Sequence, residues 1–225
     1  MIKMPGHLQI RSYHSPDYEE CREIFSQGMQ QLISITTCLI FSNLFWYITM
    51  VTIFAVMASF KWSILPLVAW LFLSLILWAL LYVIIYLQIW KIINYCLKTD
   101  LLDIEKTYMS NKGCHMWVAE WNGKIVGMVG LIQNEDHKPG IAELQRMSVS
   151  KTCRKMGVAS KLLEELLKHS RQQGLEKIVL KTSNAQGPAV RLYRKFGFKL
   201  IEGKPFIPNF IFKSLMIMSF ELELW

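Results

Sequence analysis

Two long stretches of this 225-residue chain lack charged side chains altogether. No Asp, Glu, Lys or Arg occurs between Glu23 and Lys61, and none occurs between Lys61 and Lys91. A helix needs about 20 apolar residues to cross a bilayer, so each stretch is long enough. We expect two transmembrane helices, over about 32–60 and 63–90, that form a hairpin around Lys61-Trp62. A buried all-helical core and a shallow hairpin that stays in one leaflet are the alternatives.

The chain also lacks a disulfide framework and a zinc pattern. Its five cysteines are odd in number and irregular in spacing, and Cys38 falls within an uncharged stretch. This usage is typical of a reducing compartment. The five histidines show no ligand spacing, and His115 is expected to be structural. The first 25 residues hold no apolar segment followed by small residues, so we expect no cleavable signal peptide.

Positive charge is concentrated after the uncharged stretches. The chain carries a net charge of +8, and the residues from Lys98 onward hold 20 Lys and Arg against 13 Asp and Glu. A basic domain suits an anionic cofactor, an acidic substrate or an anionic membrane surface. Basic residues also flank the uncharged region outside the hairpin, whereas Lys61 stands alone in the turn, so both ends are expected in the cytosol.

Outside the hairpin, short strands and amphipathic helices alternate. A strand at 8–13 and a helix opened by Ser15-Pro16-Asp17 precede it. After it we expect a helix at 99–109 and strands at 116–121, 125–133 and 141–149. A helix at 157–173, a strand at 177–182, a helix at 188–196 and two final strands at 199–202 and 214–224 complete an α/β order.

The segment Arg154-x-x-Gly157-x-Ala159 is the strongest chemical signal. It follows a strand and opens a helix, where free backbone N–H groups can hold a pyrophosphate. The small residues keep that backbone approachable, and Lys151 and Lys155 add positive charge. An ordinary basic helix start is the alternative interpretation.

Together with Leu192-Tyr193-Arg-Lys-Phe-Gly197-Phe198, this motif resembles the GNAT superfamily of acetyltransferases. Three further segments are similar to the camello-like (N-acetyltransferase 8-like) N-acetyltransferases: 99–108, Trp117-Val-Ala-Glu120 and Val126-Gly-Met-Val-Gly130. The segment 143–149 is more similar to the aspartate-acetylating branch. The resemblance implies a GNAT acyltransferase fold, a mixed and mostly antiparallel sheet flanked by helices, into which the transmembrane hairpin is inserted. The expected organisation is residues 1–31 and 93–225 for the GNAT domain and 32–92 for the hairpin.

The resemblance also implies acetyl-CoA as co-substrate, with the pantetheine arm along the 147–149 backbone and the pyrophosphate on the loop. The candidate cofactor-binding residues are Met147, Ser148, Val149, Arg154, Lys155, Met156, Gly157, Val158, Ala159, Ser160 and Asn184. Asn184 is alternatively a turn cap. No metal and no nucleic-acid partner are expected.

Glu143 is the candidate general base, because an amine must lose a proton to attack a thioester. On a regular strand Glu143, Gln145, Met147 and Val149 share one face. The alternative is a surface carboxylate paired with Arg146 or Lys181. Tyr193 is the candidate general acid for the leaving thiolate, or else a packing aromatic.

We therefore expect a membrane-anchored N-acetyltransferase that acetylates a small-molecule amine, an amino acid or a cysteine S-conjugate. A protein lysine acetyltransferase and an inactive membrane scaffold of the same fold are the alternatives. Family resemblance points to the endoplasmic reticulum, with the catalytic domain facing the cytosol.

Overall fold

One seven-stranded sheet with helices on both faces organises the protein. The computed structural model describes residues 7–59, 65–110, 113–133, 138–205 and 215–225. The strands are β1 (Leu8–Ser12), β2 (His115–Trp121), β3 (Lys124–Ile132), β4 (Ile141–Val149), β5 (Lys177–Ser183), β6 (Lys199–Pro205) and β7 (Met216–Glu223). They lie in the order β1-β2-β3-β4-β5-β7-β6, and every neighbouring pair is antiparallel except β4 and β5. The sheet is thus mixed and mostly antiparallel, as expected.

Two apolar helices lie between the first and second strands of this sheet along the chain. Helix α1 (Tyr18–Ser59) is continuous, so the first helix of the domain and the first apolar helix are one element. No proline interrupts it, and Gly28 alone is too weak a breaker to end a helix. Helix α2 (Leu65–Lys98) begins with Pro66 in its first turn, where the missing N–H costs no hydrogen bond. The turn expected at Lys61-Trp62 lies outside the described residues.

The two helices run antiparallel and pack against each other. Arg22 Nη1 donates to the Leu97 carbonyl at 2.9 Å, and Trp70 Nε1 donates to Thr52 Oγ1 at 3.1 Å. Early α1 therefore meets late α2, and late α1 meets early α2. An isoleucine cluster fills the interface between these contacts: Ile33, Ile40, Ile85, Ile89 and Ile93.

Large apolar side chains point away from the rest of the protein along both helices. Phe54 is 75% exposed and Phe72 64% exposed. Within the described residues, Val68–Lys98 is the one helix long and apolar enough to cross a membrane, and only 6% of its most apolar window is buried. Tyr47–Met57 is a shorter apolar segment. By length and composition alone this is weak support for a membrane span.

Each face of the sheet has its own hydrophobic core. Helices α3 (Val158–Gln172) and α4 (Gly187–Lys195) cover one face, where the α3 stripe of Val158, Leu162, Leu163, Leu166 and Leu167 is buried as expected. The start of α1 covers the other face with Cys21, Ile24 and Phe25. The helix expected over 99–109 is only a π-helical turn at Glu105–Met109, because α2 itself continues to Lys98.

Candidate active site

The two parallel strands at the centre of the sheet separate part-way along their length. β4 and β5 pair from Ile141 with Lys177 to Leu144 with Leu180, and the register ends there. Beyond that point β4 continues beside β3, and β5 continues beside β7. The separation leaves a cleft between 145–149 and 181–183. Its β4 wall is a strand edge of the kind that an extended ligand can pair with.

A bulge in β4 lies at the mouth of this cleft. Gly130 pairs with Gln145 and Met128 pairs with Ser148, so Arg146 and Met147 together oppose a single β3 residue. Arg146 has a φ of +54°, in the left-handed region that side-chain-bearing residues seldom adopt. An extra residue of this kind bends a strand and re-aims the side chains after it.

The bulge changes which β4 side chains share a face. Gln145 contacts Tyr108 on the α1 side of the sheet, and Glu143 contacts Gln145 there. Met147 and Val149 instead pack against the core on the α3 side. The expectation that Glu143, Gln145, Met147 and Val149 share one face is therefore wrong, because regular alternation stops at Arg146.

A chain of hydrogen bonds on the α1 side leads to Glu143. Arg146 binds Asp100 through two contacts, Nε to Oδ2 at 2.7 Å and a terminal guanidinium nitrogen to Oδ1 at 2.8 Å. The Tyr108 hydroxyl donates to Asp100 Oδ2 at 2.8 Å and lies 3.4 Å from Gln145 Oε1. Gln145 Nε2 donates to Glu143 Oε2 at 3.1 Å. Glu143 thus accepts a hydrogen bond from an amide, while the Arg146 guanidinium is bound to Asp100.

The charges and burial of the residues in this hydrogen-bond chain are consistent with a fixed network. Burial raises the pKa of the Tyr108 hydroxyl above its ordinary value, with a smaller contribution from the Asp100 charge. Burial opposes the charged form of Arg146, but the hydrogen bonds and charge of Asp100 outweigh it and raise the pKa of the guanidinium. The Arg146 guanidinium therefore stays charged and the Tyr108 phenol stays neutral at physiological pH.

The predicted cofactor loop forms a sharp turn into α3. Ser150 N donates to the Val126 carbonyl at 2.8 Å, and a 3₁₀ turn follows at Lys151–Cys153. Lys155 has a φ of +61° and Gly157, the α3 N-cap, a φ of +86°. A Cβ at Gly157 would meet no atom within 4 Å, so the space in front of this helix start is open. The amides of its first turn have no earlier carbonyl within the helix to bind.

The Arg154 side chain connects this loop to the end of β4 and to α1. Its Nε donates to the Val149 carbonyl at 3.2 Å, and its Nη1 contacts Oε1 of Gln31 on α1. The side chain thereby fixes the end of β4, the loop and the apolar helix pair relative to one another. Sequence reasoning identified Arg154 but not Gln31, which lies 123 residues earlier.

Tyr193 and Asn184 occupy different surroundings. Tyr193 is buried in the α3-side core, with its ring centroid 5.7 Å from that of Phe198 and 6.5 Å from that of Phe220. Burial raises the pKa of its hydroxyl, which keeps the proton in place. The Asn184 side-chain oxygen accepts from Met216 N at 3.0 Å, so Asn184 joins the ends of β5 and β7.

A cavity of about 250 Å³ adjoins the cleft on the α1 side. Apolar residues of α1 and α2 form one wall, among them Leu32, Ile85 and Ile89. The wall from the sheet side carries polar and basic residues, Arg146, Lys181, Thr182, Ser183 and Gln186, beside the apolar Leu215 and Ile217. A cavity with two such walls suits a ligand with one apolar side and one polar or anionic side.

Comparison with known proteins agrees with this geometry. Residues 84–198 match the family described as Acetyltransferase (GNAT) family. N-acetyltransferase 8 of Rattus norvegicus is 36% identical over 213 residues, 85% of this chain and 86% of the relative. "Probable N-acetyltransferase camello" of Xenopus tropicalis is 32% identical over 199 residues, 86% of this chain and 87% of the relative.

A solved structure extends the agreement to the fold. The crystal structure of an acetyltransferase of the GNAT family from Staphylococcus aureus Mu50 aligns with a TM-score of 0.59 and 19% identity, covering 97% of this chain and 100% of that chain. Fold and family match together define an acetyl-transferring enzyme with a GNAT domain. Within that class, the chain belongs to the N-acetyltransferase 8/camello family.

Asp100, Tyr108, Gln145 and Arg146 were not assigned a role from the sequence, apart from Arg146 as an alternative ion-pair partner of Glu143. All four lie in the segments 99–108 and 143–149 that carry the family resemblance. Both segments mix polar with apolar residues, so these four side chains did not stand out locally. The sequence could not reveal that the two segments meet.

Proposed function

We propose that this enzyme is a membrane-anchored N-acetyltransferase that acetylates the amine of a small molecule, an amino acid or a cysteine S-conjugate. One observation carries the proposal: β4 and β5 separate immediately after Leu144 and Leu180, beside Glu143. An acceptor on the α1 side and a coenzyme arm within the cleft would meet at this point.

Acetyl-CoA supplies the acetyl group as a thioester. The open space before Gly157 and the first-turn amides of α3 support binding of its anionic pyrophosphate at this loop. The backbone of Met147, Ser148 and Val149, on the β4 side of the cleft, would pair with the pantetheine arm. Arg154, Lys155, Met156, Val158, Ala159 and Ser160 complete the loop around the pyrophosphate. Asn184, which follows β5, stays in the proposal as a candidate hydrogen-bond partner of the coenzyme.

In the proposed reaction a nitrogen–carbon bond forms and a carbon–sulfur bond breaks. The Glu143 carboxylate takes the proton that the attacking amine loses, directly or through water. The Tyr193 hydroxyl gives a proton to the departing sulfur. Glu143 lies on the α1 side of the sheet and Tyr193 in the core on its α3 side, and the proposal requires both side chains to reach the cleft between β4 and β5.

The cavity favours an acceptor that bears both a carboxylate and an apolar substituent. Arg146 is already neutralised by Asp100, whereas the exposed Lys181 lies on the same wall with its charge available for a ligand. The apolar wall from α1 and α2 suits the thioether substituent of a cysteine S-conjugate better than bare aspartate. Lysine-bearing proteins remain the second class of acceptor.

Membrane anchoring through α1 and α2 is part of the same proposal. The exposed apolar side chains of both helices would face lipid, as a hairpin inserted at residues 32–92. We place the enzyme in the endoplasmic reticulum membrane, with the residues before and after the hairpin in the cytosol, where acetyl-CoA is available.

An acceptor panel tests the proposed activity. Purified enzyme in nanodiscs is incubated with acetyl-CoA and S-benzylcysteine, aspartate, benzylamine or a lysine peptide, and products are measured by mass spectrometry. S-benzylcysteine should be acetylated fastest. Acetylation of the peptide alone would replace the small-molecule proposal with the protein-directed one. Coenzyme A binding without acetylation of any amine would indicate the inactive scaffold.

A charge variant tests the proposed acceptor wall. Lys181→Met should raise KM for S-benzylcysteine by about tenfold, since one ionic contact to a carboxylate is lost, and should leave benzylamine unaffected. Lys168→Met, on the exposed face of α3, is the matched control. An equal effect of Lys181→Met on both amines would remove Lys181 from acceptor recognition.

A further inference from the structure

The Tyr108 side chain is held both by close packing of its ring against β3 and by a hydrogen bond from its hydroxyl group. The side chain is fully buried, and its ring lies directly over Gly130 of β3. A Cβ at Gly130 would stand 2.5 Å from Tyr108 Cε1, a distance that cannot be accommodated without movement. Glycine at position 130 therefore lets the ring approach β3. The hydroxyl is thereby brought between Asp100 and Gln145.

This hydroxyl and the Glu143 carboxylate together favour one orientation of the Gln145 amide. A glutamine amide can be placed with its oxygen or its nitrogen towards a given neighbour. The single Tyr108 hydroxyl proton is shared between Asp100 Oδ2 at 2.8 Å and Gln145 Oε1 at 3.4 Å, and Glu143 Oε2 is an acceptor at 3.1 Å from Nε2. The reversed amide would place its oxygen against the Glu143 carboxylate, which is repulsive. The observed orientation is the one in which Glu143 receives a hydrogen bond.

Asp100 and Arg146 hold the other end of the chain. Asp100 Oδ2 accepts from both Arg146 Nε and the Tyr108 hydroxyl, and Oδ1 accepts a second guanidinium bond. The planar guanidinium fork fits a carboxylate through two parallel bonds, which a lysine cannot reproduce. The ion pair thus holds Arg146 in its left-handed conformation and gives Tyr108 a fixed acceptor.

We propose that Tyr108 and Gln145 are positioning residues for Glu143, with the Asp100–Arg146 pair as their anchor. The inference rests on the proposed role of Glu143 as the base for the acceptor amine. Gln145 holds the carboxylate at the cleft mouth, and Tyr108 keeps the Gln145 amide from reversing. Neither residue needs to touch the substrates.

Kinetics of Tyr108→Phe test this inference. The substitution keeps the ring over Gly130 and removes the hydroxyl, so kcat should fall about tenfold while KM for acetyl-CoA stays unchanged. Tyr13→Phe, a second buried tyrosine of the same core, is the matched control and should leave kcat unchanged. A wild-type kcat in Tyr108→Phe would overturn the inference.

A double-mutant cycle distinguishes positioning from general damage. If Tyr108 acts through Glu143, adding Tyr108→Phe to Glu143→Ala should slow the residual reaction no further. A full additional loss in that background would show a structural role and overturn the inference. Adding Gln145→Leu to Glu143→Ala should likewise slow the residual reaction no further.

A spectroscopic readout keeps this test independent of turnover. The infrared carboxylate band of Glu143, isolated by subtracting the Glu143→Gln spectrum, should shift in Tyr108→Phe and stay in place in Tyr13→Phe. An unshifted band would overturn the positioning role even if the enzyme is active. A shifted band in a protein that acetylates no amine would support the contact while the proposed function fails.

Discussion

Arg146 and Asp100 join the bulge of the central strand to the end of the second apolar helix. Their two bonds, at 2.7 and 2.8 Å, link residues 46 positions apart. Arg22 of α1 strengthens the same junction through the Leu97 and Leu101 carbonyls, at 2.9 and 2.5 Å. The apolar helix pair is therefore attached to the candidate active site through the residues that shape it. If the helix pair is a membrane anchor, that anchor is structurally coupled to the active site.

The cofactor loop is tested by charge at Gly157. Gly157→Glu should weaken coenzyme A binding by about 100-fold, because a carboxylate would face the pyrophosphate at the start of α3. Gly157→Gln is the matched control, since it carries the same backbone strain at a φ of +86° without the charge. Isothermal titration calorimetry measures both affinities. Equal affinities for wild type and Gly157→Glu would show that the loop does not hold the coenzyme.

Tyr193 is tested by removing only its hydroxyl. Tyr193→Phe keeps the ring packing with Phe198 and Phe220, so thermal stability should change little. The single-turnover acetyl-transfer rate should fall by about 100-fold, because the departing sulfur loses its proton donor. Rapid-quench measurement at saturating substrates gives this rate. An unchanged rate would restrict Tyr193 to packing.

The sequence predicted most elements of the sheet, because alternating apolar residues and the Asn122-Gly123 turn are local signals. Asn122 and Gly123 indeed both have positive φ, as a two-residue hairpin turn requires. The β4 bulge was not predicted. The apolar positions of 143–149 change phase between Leu144 and Met147, but the segment contains no glycine to mark a bulge. Its conformation depends on Asp100, which is distant in sequence. Local patterns carry no information on such a pairing.

Two histidines give the fold a predictable pH dependence. The His115 and His169 rings stack with centroids 5.2 Å apart, and burial is the main cause that lowers the pKa of each. The unfolded chain, with histidine pKa values near 6.5, therefore takes up protons before the folded one does. Stability should be lost as the pH falls below about 6.5.

Melting temperatures between pH 7.5 and 5 measure this effect. The double variant His115→Gln, His169→Gln should have a shallower pH slope than wild type, whatever its absolute stability. His7→Gln, at an exposed position, is the control and should keep the wild-type slope. An unchanged slope in the double variant would assign the acid sensitivity to other groups.

The proposed hairpin is tested by protease access in sealed microsomes. A tag at each end of the chain should be digested without detergent, because a hairpin returns the chain to the cytosolic side. Protection of both tags would place the catalytic domain in the lumen and favour lumenal protein acceptors. Protection of one tag would mean an odd number of crossings, which contradicts a hairpin.

The role of Glu143 as the general base for acetyl transfer is tested most directly by the single-turnover rate of Glu143→Gln. The rate is measured at pH 7 and pH 9.5 with the acceptor that wild type acetylates fastest. The variant should be about 100-fold slower at pH 7 with coenzyme A affinity nearly intact. The deficit should shrink at pH 9.5, where more of the acceptor amine has already lost its proton. A Glu143→Gln enzyme that transfers acetyl at the wild-type rate at pH 7 would contradict the assignment of Glu143 as the base.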